Sequence, residues 1–544
     1  MARRTVVIGG GVAGLAAAGL LARHGDEVIL LEKGGTDQLG GRAGSLTVAE
    51  APGFRWDTGP SWYLMPEAFD RFFALMGTST AAELDLVDLD PGYRVLPEGL
   101  DPVDVPVGED AVAALFESLE PGAGAQVRRY LAEAGDTYRI AVDRFLHTSF
   151  RSPAPFLGRA VLARAGRLVR LLTGNLRSLV DARFTDRRLR QILSYPAVFL
   201  SSRPSATPAL YQLMSYTDLV QGVKYPVGGF AAVVEALRRL AVAEGAEIRT
   251  GAEVTAILTD RGRDATSATA AAANPLRRIP GLGRIWPGRA HATGVRLADG
   301  TVVPADVVVS AADLHHTETE LLPAGLRTYP EPHWRHVDAG VGAVVVMLGV
   351  RGSLPELAHH TLLFSADWTP DFAAVFDGGT AATTGPGAGI AGMSRSVYVS
   401  KPSATDPDVA PAGHENLFVL VPAAADVGTG HGSAYAASGT GSDRVEQIAD
   451  AVVDLIAERA GIPDLAERTV VRRTLGPADF ADRYHSWHGW ALGLAHTLAQ
   501  SAFLRGTNNS RAVANLYYAG STTTPGVGVP MCLISAENVL DRLG

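Results

Sequence analysis

The sequence predicts an α/β fold: a Rossmann-type nucleotide-binding domain with a second, α+β domain inserted into it. Three glycine-rich signals point there. The chain opens as strand, glycine turn, helix and strand over residues 5–31, a Gly-Gly turn opens a helix at 225–244, and a glycine-rich run at 515–530 leads into a last helix. Signals so widely spaced read as one discontinuous nucleotide domain, 1–75, 220–320 and 475–544, interrupted by 76–219 and 321–474. A chain of 544 residues has room for both units.

Taken in order, Thr5 to Ile8 is an apolar strand and Gly9-Gly10-Gly11-Val12-Ala13-Gly14 a turn. Leu15 to Arg23 is a helix that Gly25 stops, and Glu27 to Leu31 is the next strand. The uncharged run Val6 to Ala22 behind Arg3-Arg4 has the outline of a signal peptide, but five glycines break it, so strand-turn-helix is the better reading. From Leu75 to Leu219 the pattern is mostly helical, with breakers at Pro91, Pro97, Pro121 and Pro153 to Pro155. Apolar residues at helical spacing then carry Phe230 to Glu244. Short strands follow at Glu247–Arg249 and Val254–Leu258, and a hairpin resumes at Gly294 to Gly300 before the strand Val307–Ser310. Residues 262–290, rich in Ala, Arg, Gly and Pro, read as a flexible insertion in the hairpin tip. Ala339 to Val350 is apolar but shorter than the about 20 residues that span a bilayer. Val529 to Leu543 reads as the closing helix.

Composition narrows the function. Hydrophobic residues make up 47% and charged residues 19%, which excludes a disordered chain, and a net charge of −9 gives no global basic field for nucleic acid. The single cysteine, Cys532, excludes an intrachain disulfide and a Cys-based metal cluster and suits a reducing, cytoplasmic setting. Histidines gather at His359-His360 and at His485, His488 and His496, none in a zinc-site spacing, so no metal is expected.

The opening turn fits the dinucleotide fingerprint. Gly9 permits the tight turn, Gly11 lets backbone approach a pyrophosphate, and Gly14 lets helix and strand pack closely. The amides of Val12 and Ala13 begin the helix that faces the phosphates. Glu32, ending the second strand about 20 residues on, is placed for a ribose hydroxyl, with Lys33 beside it. Two more turns follow, Leu39-Gly40-Gly41-Arg42-Ala43 and Asp57-Thr-Gly59-Pro60-Ser61, and these favour FAD over NAD.

Gly40-Gly41-Arg42, Gly59-Pro60 and Tyr225-Pro-Val-Gly-Gly229 resemble the flavin amine oxidase and carotenoid desaturase superfamily. The run from Asn515 through Gly520-Ser521 to Pro525-Gly526-Val-Gly528-Val529-Pro530 is similar to the closing signature of bacterial-type phytoene desaturases, with Thr524 where their histidine stands. Ala358-His-His-Thr361, Asp479 to His485 and Gln500-Ser501 also look like that group. The resemblance implies a Rossmann-type FAD-binding domain with an inserted α+β substrate domain. Gly520, Ser521, Gly526, Val529 and Met531 would lie beside the flavin, where the last helix start favours its anionic reduced form. Val254 matches the position whose backbone contacts adenine, and Asp313 is a looser match nearby.

The resemblance implies FAD-dependent desaturation of a carotenoid hydrocarbon, phytoene towards lycopene-type products, with oxygen or a quinone as terminal acceptor. Rival readings are a carotenoid isomerase or oxygenase, an amine or porphyrinogen oxidase, and a non-enzymatic prenyl-protein escort of the Rab-GDI type. A proposed acid–base pair of the family aligns near Ser149-Phe-Arg151-Ser152, where its acidic residue is Ser152 here, so no catalytic residue is assigned. The stretch His147 to Val180 holds six arginines, Arg151 to Arg177, and no acidic residue. It reads either as a solvated basic face or as a surface for an anionic membrane, and the lipid-soluble substrate implied by the resemblance favours peripheral membrane attachment.

Overall fold

The computed structural model describes residues 2–148, 161, 163–260, 289–380, 384–501 and 504–544. The opening unit is β1 (Arg4–Ile8), α1 (Val12–Arg23) and β2 (Glu27–Leu31). Every residue of α1 from Val12 to Ala22 is buried. Its small, apolar faces let it pack against β1 and two further helices, α2 (Phe230–Ala243) and α3 (Val529–Leu543). A helix apolar all round is a core helix, so the uncharged Val6 to Ala22 run is a buried strand, turn and helix.

Three more strands complete the sheet: β3 (Glu247–Arg249), β4 (Val307–Ser310) and β5 (Leu516–Tyr518). The order is β5-β4-β1-β2-β3, and every pair is parallel. From β1 the chain moves outward through β2 and β3, then returns on the other side through β4 and β5. The order therefore reverses between β1 and β4, and a ligand crevice opens beyond the carboxyl ends of strands at such a point.

A seven-stranded sheet stands opposite. Its order is Thr469–Leu475, Val341–Arg351, His414–Ala424, Val397–Ser400, His360–Phe364, Tyr93–Pro97 and Val103–Val105. The apolar Ala339 to Val350 stretch is its long inner strand, buried from Val341 to Val350. Val344, Val346 and Leu348 pack on the helix Asp443–Ala460. The alternate residues Val341, Ala343 and Val345 face the interior between the two sheets.

The described residues of 75–219 are mostly helical, as the pattern predicts, but the strands Leu86–Asp88, Tyr93–Pro97 and Val103–Val105 also lie among them. Pro97 ends its strand, where the missing N–H costs no inner ladder bond. What makes Tyr93–Pro97 a strand is its parallel pairing with His360–Phe364, some 260 residues later. The predicted hairpin is present: Val254–Asp260 runs antiparallel to His291–Leu297, with Asp260 opposite His291. The insertion at 262–290 lies outside the described residues except for Arg289 and Ala290. Those two dock on the chain near β5, Ala290 N donating to Ala512 O at 2.9 Å. Among the described residues, no helix is long and apolar enough to cross a membrane.

Candidate functional site

A cavity of about 510 Å³ runs from the β1–β4 crevice to the inner face of the seven-stranded sheet. Its two ends differ in chemistry. The crevice end is made of backbone turns and a few charged groups, and the far end of apolar side chains.

At the crevice, Glu32 is held as β2 ends, its two carboxylate oxygens accepting from Gly10 N at 2.7 Å and Gly34 N at 2.8 Å. Gly40 N donates to Gly10 O at 2.8 Å, which draws the second glycine turn alongside the first. A Cβ built on Gly14 would lie 1.9 Å from Gly9 O, so this glycine is required by packing. A Cβ on Gly11 would meet nothing nearer than Gly40 O at 4.0 Å, and the residue borders the cavity. The first turn of α1 carries no acidic side chain, leaving its amides and dipole to attract an anion.

Arg42 passes over the rings of Trp490 and Tyr484, its guanidinium carbon 4.0 and 5.0 Å from their centroids, and donates to Ser486 Oγ. Burial pulls its guanidinium below the usual value. Asp313, where β4 ends, caps a short helix by accepting from His316 N at 3.2 Å. Burial pushes its carboxyl up to about 6, against the pull of that amide and of Arg42. Arg42 Nε and Asp313 Oδ2 are both buried without a hydrogen-bond partner. Two such orphans in one crevice wall fit a polar ligand, because an unpaired buried polar group costs about 1–3 kcal/mol. His316 and His485 stack in parallel with centroids 3.8 Å apart, and burial holds them down at about 3 and about 4, as neutral rings.

The start of α3 closes the cavity between these ends, with Gly528, Val529, Pro530, Met531 and Cys532 on its wall. No acidic side chain stands in its first turn. Burial pushes the Cys532 thiol up to about 12, so it is a neutral packing group. Beyond lies the apolar compartment, where the sheet contributes Val341, Ala343, Val345, Leu362, Phe364, Phe418 and Leu420 at strand alternation. The helix Thr369–Asp377 adds Phe372, Val375 and Phe376, and Tyr195 and Phe199 come from the helical region.

Of the residues singled out in the sequence, Gly9, Gly11, Val12, Ala13, Glu32, Lys33, Gly40, Gly41, Arg42, Gly59, Pro60, Ser61, Val254, Gly520, Ser521, Val529 and Met531 border this one cavity. Gly14 and Gly526 do not. Gly14 serves the contact of helix and turn, and Gly526, at φ +152°, backs onto His496, whose Nε2 would lie 2.4 Å from a Cβ there. Ser149 to Ser152 lie outside the described residues. His359 and His360 are buried and hydrogen-bonded, to Thr405 and Tyr398 respectively, and do not border the cavity. Sequence reading missed the apolar compartment. Its signal was present as period-two alternation in 341–345 and 418–422, hidden because both faces of those strands are apolar.

The arginine-rich stretch is also different from its appearance in sequence. Arg164 and Arg167 pair with Asp136, and Arg170 and Arg183 with Glu133, acidic residues supplied by the preceding helix Ala123–Ala141. Much of the apparent basic face is thus neutralised across helices, although the side chains of Arg170 and of Arg177, which pairs with Asp181 at 3.5 Å, stay 70% and 59% exposed.

A family model described as flavin containing amine oxidoreductase matches residues 12–543. The chain is similar to a carotenoid 3,4-desaturase from Haloarcula japonica, 39% identical over 99% of this chain and 97% of that protein. It is also similar to a zeta-carotene-forming phytoene desaturase from Myxococcus xanthus, 33% identical over 99% and 94% of the two chains. Among solved structures it resembles cyclohexylamine oxidase from Brevibacterium oxydans, with TM-score 0.55 and 13% identity over 100% of this chain and 98% of that one. At that identity the likeness concerns the fold alone.

Proposed function

The chain belongs to the flavin containing amine oxidoreductase family, and from that premise we propose that it is a carotenoid desaturase. It is an FAD-dependent oxidoreductase of the bacterial carotenoid-desaturase type. The observation that carries the substrate class is the continuity of a nucleotide crevice with an apolar compartment in one cavity.

FAD, when bound, supplies the two-electron hydride acceptor that no amino-acid side chain offers. The crevice residues suit it. Gly11 and Gly41 would leave room for phosphates against the first turn of α1, Glu32 would meet a ribose, Val254 on the cavity wall would meet adenine, and Arg42 and Asp313 each hold one unsatisfied polar atom. The start of α3, on the cavity wall, would stabilise negative charge on a ring system bound against it. The apolar walls hold a hydrocarbon by burial alone, at about 0.8 kcal/mol per CH₂. They also exclude water from the reacting carbons. The nucleotide unit is proposed to comprise 1–75, 220–320 and 475–544. Attachment to a membrane surface brings the lipid-dissolved substrate within reach, and oxygen or a quinone reoxidises the enzyme.

Phytoene is the first substrate proposed. A second reading, a more unsaturated carotenoid, is favoured by the 39% identical relative, a carotenoid 3,4-desaturase. Incubating the FAD-loaded protein with phytoene or with lycopene in liposomes, followed by chromatography, separates them. Longer-conjugated products from phytoene support the first reading, and from lycopene alone the second. No change in either carotenoid refutes the proposal.

A further inference from the structure

Turning a CH–CH unit into a double bond removes a hydride and a proton. On the carotenoid-desaturase reading, the hydride has a destination, and the proton needs one. Among the described residues, the apolar compartment offers few polar side chains for it. Asp371 on its wall already accepts from Arg395 N at 2.8 Å and from Ser396 Oγ at 2.6 Å. The hydroxyls of Tyr138, Tyr195 and Tyr211 donate away to Glu67, Asp218 and Ser501.

Tyr398 is placed differently. Its hydroxyl lies 2.7 Å from Ser61 Oγ and 2.8 Å from His360 Nδ1. Ser61 follows Gly59-Pro60 at the crevice end, whereas Tyr398 and His360 stand on neighbouring strands of the seven-stranded sheet. Ser61 and Tyr398 both border the cavity, and His360, off its wall, is fully buried with Nε2 unpartnered. Trp62 stacks on the imidazole, with centroids 4.7 Å apart and planes 16° apart.

We infer that Ser61, Tyr398 and His360 form a proton-accepting relay for the dehydrogenation. As hydride leaves one substrate carbon with its electron pair, the C–H bond on the neighbouring carbon breaks, and its electrons become the π bond. The released proton goes to Ser61 Oγ, the Ser61 proton to Tyr398, and the Tyr398 proton to His360 Nδ1. One positive charge leaves the substrate and one appears on the imidazole, so charge and atoms balance. A carbon next to a developing cation is a very strong acid, so a weakly basic acceptor suffices. Burial holds the imidazole neutral at rest, with a ring nitrogen lone pair open at Nδ1, and disfavours its charged form, so the imidazolium is short-lived. The face of Trp62 stabilises the imidazolium while it lasts, as aromatic faces do for cations. The proton returns to water by the reverse shift once product leaves. Ser61 is the catalytic residue of this set, and Tyr398 and His360 position and drain it.

The test is an anaerobic single turnover of FAD-loaded Tyr398→Phe against wild type, with Tyr130→Phe as the control, a buried tyrosine outside the cavity wall whose hydroxyl lies 3.4 Å from Ser215 Oγ. General-base assistance typically contributes about 10²–10⁴-fold. The expected result is a rate lower by about 100-fold or more in Tyr398→Phe, with FAD content and carotenoid binding unchanged. Wild type should be slower in D₂O than in H₂O, and the variant should lose that isotope effect. A structural role for Tyr398 would leave the isotope effect in place. Ser61→Thr should retain activity and Ser61→Ala should not, which keeps the test open should Tyr398→Phe misfold. Independently of turnover, ¹⁵N NMR of labelled histidine should show the His360 Nδ1 signal shift when Tyr398 becomes Phe. Rates of Tyr398→Phe within about two-fold of wild type, or an equal loss in Tyr130→Phe, overturn the relay and leave the desaturase reading standing. Absence of product from wild type overturns both.

Discussion

Gly11→Val separates cofactor binding from folding more sharply than any other single change in the nucleotide motif. Gly11 has φ −73° and ψ 178°, an extended conformation open to any residue. A Cβ there stands 4.0 Å from its nearest neighbour, so valine is accommodated by the folded chain. The added methyl groups occupy crevice space between the start of α1 and the Gly40-Gly41 turn, where a pyrophosphate would sit. Losing two hydrogen bonds from amides to an anion costs about 1.5–3 kcal/mol each. Together that is about 3–6 kcal/mol, or about 10²–10⁴-fold in FAD affinity. Gly14→Ala should fail in the opposite way. Its methyl would sit 1.9 Å from Gly9 O, and overpacking of that kind typically costs about 1–3 kcal/mol of stability. Flavin fluorescence titration of the FAD-free proteins, with thermal melts in the absence of FAD, reads both effects. If Gly11→Val binds FAD as tightly as wild type, or melts as far below it as Gly14→Ala, the assignment of the motif is wrong.

Burial raises the Asp218 carboxyl to about 7, against the Tyr195 hydroxyl that donates to it, so the folded chain holds this proton more tightly than the unfolded chain. The associated stability is present in acid and is lost as pH rises from about 4 through about 7; the melting temperature of Asp218→Asn should therefore gain on wild type between pH 5 and pH 8, and a gap independent of pH would contradict this. Sedimentation with anionic liposomes should weaken in high salt and in Arg170→Glu/Arg177→Glu, whose long, exposed pairs with Glu133 and Asp181 are worth little, so its melting temperature should fall only slightly, whereas Arg164→Glu, which breaks a bidentate pair with Asp136, should lower it more; unchanged sedimentation in the double variant would place the membrane contact elsewhere. Replacing 262–288 with a short turn should leave FAD binding and melting temperature nearly unchanged, because Asp260 and His291 already pair at the hairpin, and a collapse in soluble yield would show that the segment docks.

The nucleotide half of the molecule was legible because its determinants are local. A glycine turn between an apolar strand and helix, with an acid after the next strand, specifies its geometry within about 30 residues. The strands Glu27–Leu31 and Val307–Ser310 and the helix Val529–Leu543 fall where the pattern puts them. The substrate half was not legible, because its determinants are far apart. Tyr93–Pro97 is a strand only through a partner at 360–364, and the charge on Arg164 and Arg167 is cancelled by Asp136 on another helix. Gly526 shows the same limit within a motif. Its neighbour is His496, thirty positions earlier, and nothing in Pro525-Gly526 predicts that contact.

The central claim is that one cavity brings a flavin and a carotenoid chain together for direct dehydrogenation. Anaerobic titration of the FAD-loaded protein with its carotenoid tests it most directly, following flavin bleaching and the growth of the longer-wavelength polyene bands together. One flavin should be reduced for each new double bond, product should stop after about one turnover, and FAD-free protein given NAD or NADP should leave the carotenoid unchanged. Conjugated product formed without flavin bleaching, or an oxidised flavin and an unchanged carotenoid at saturation, would contradict the account.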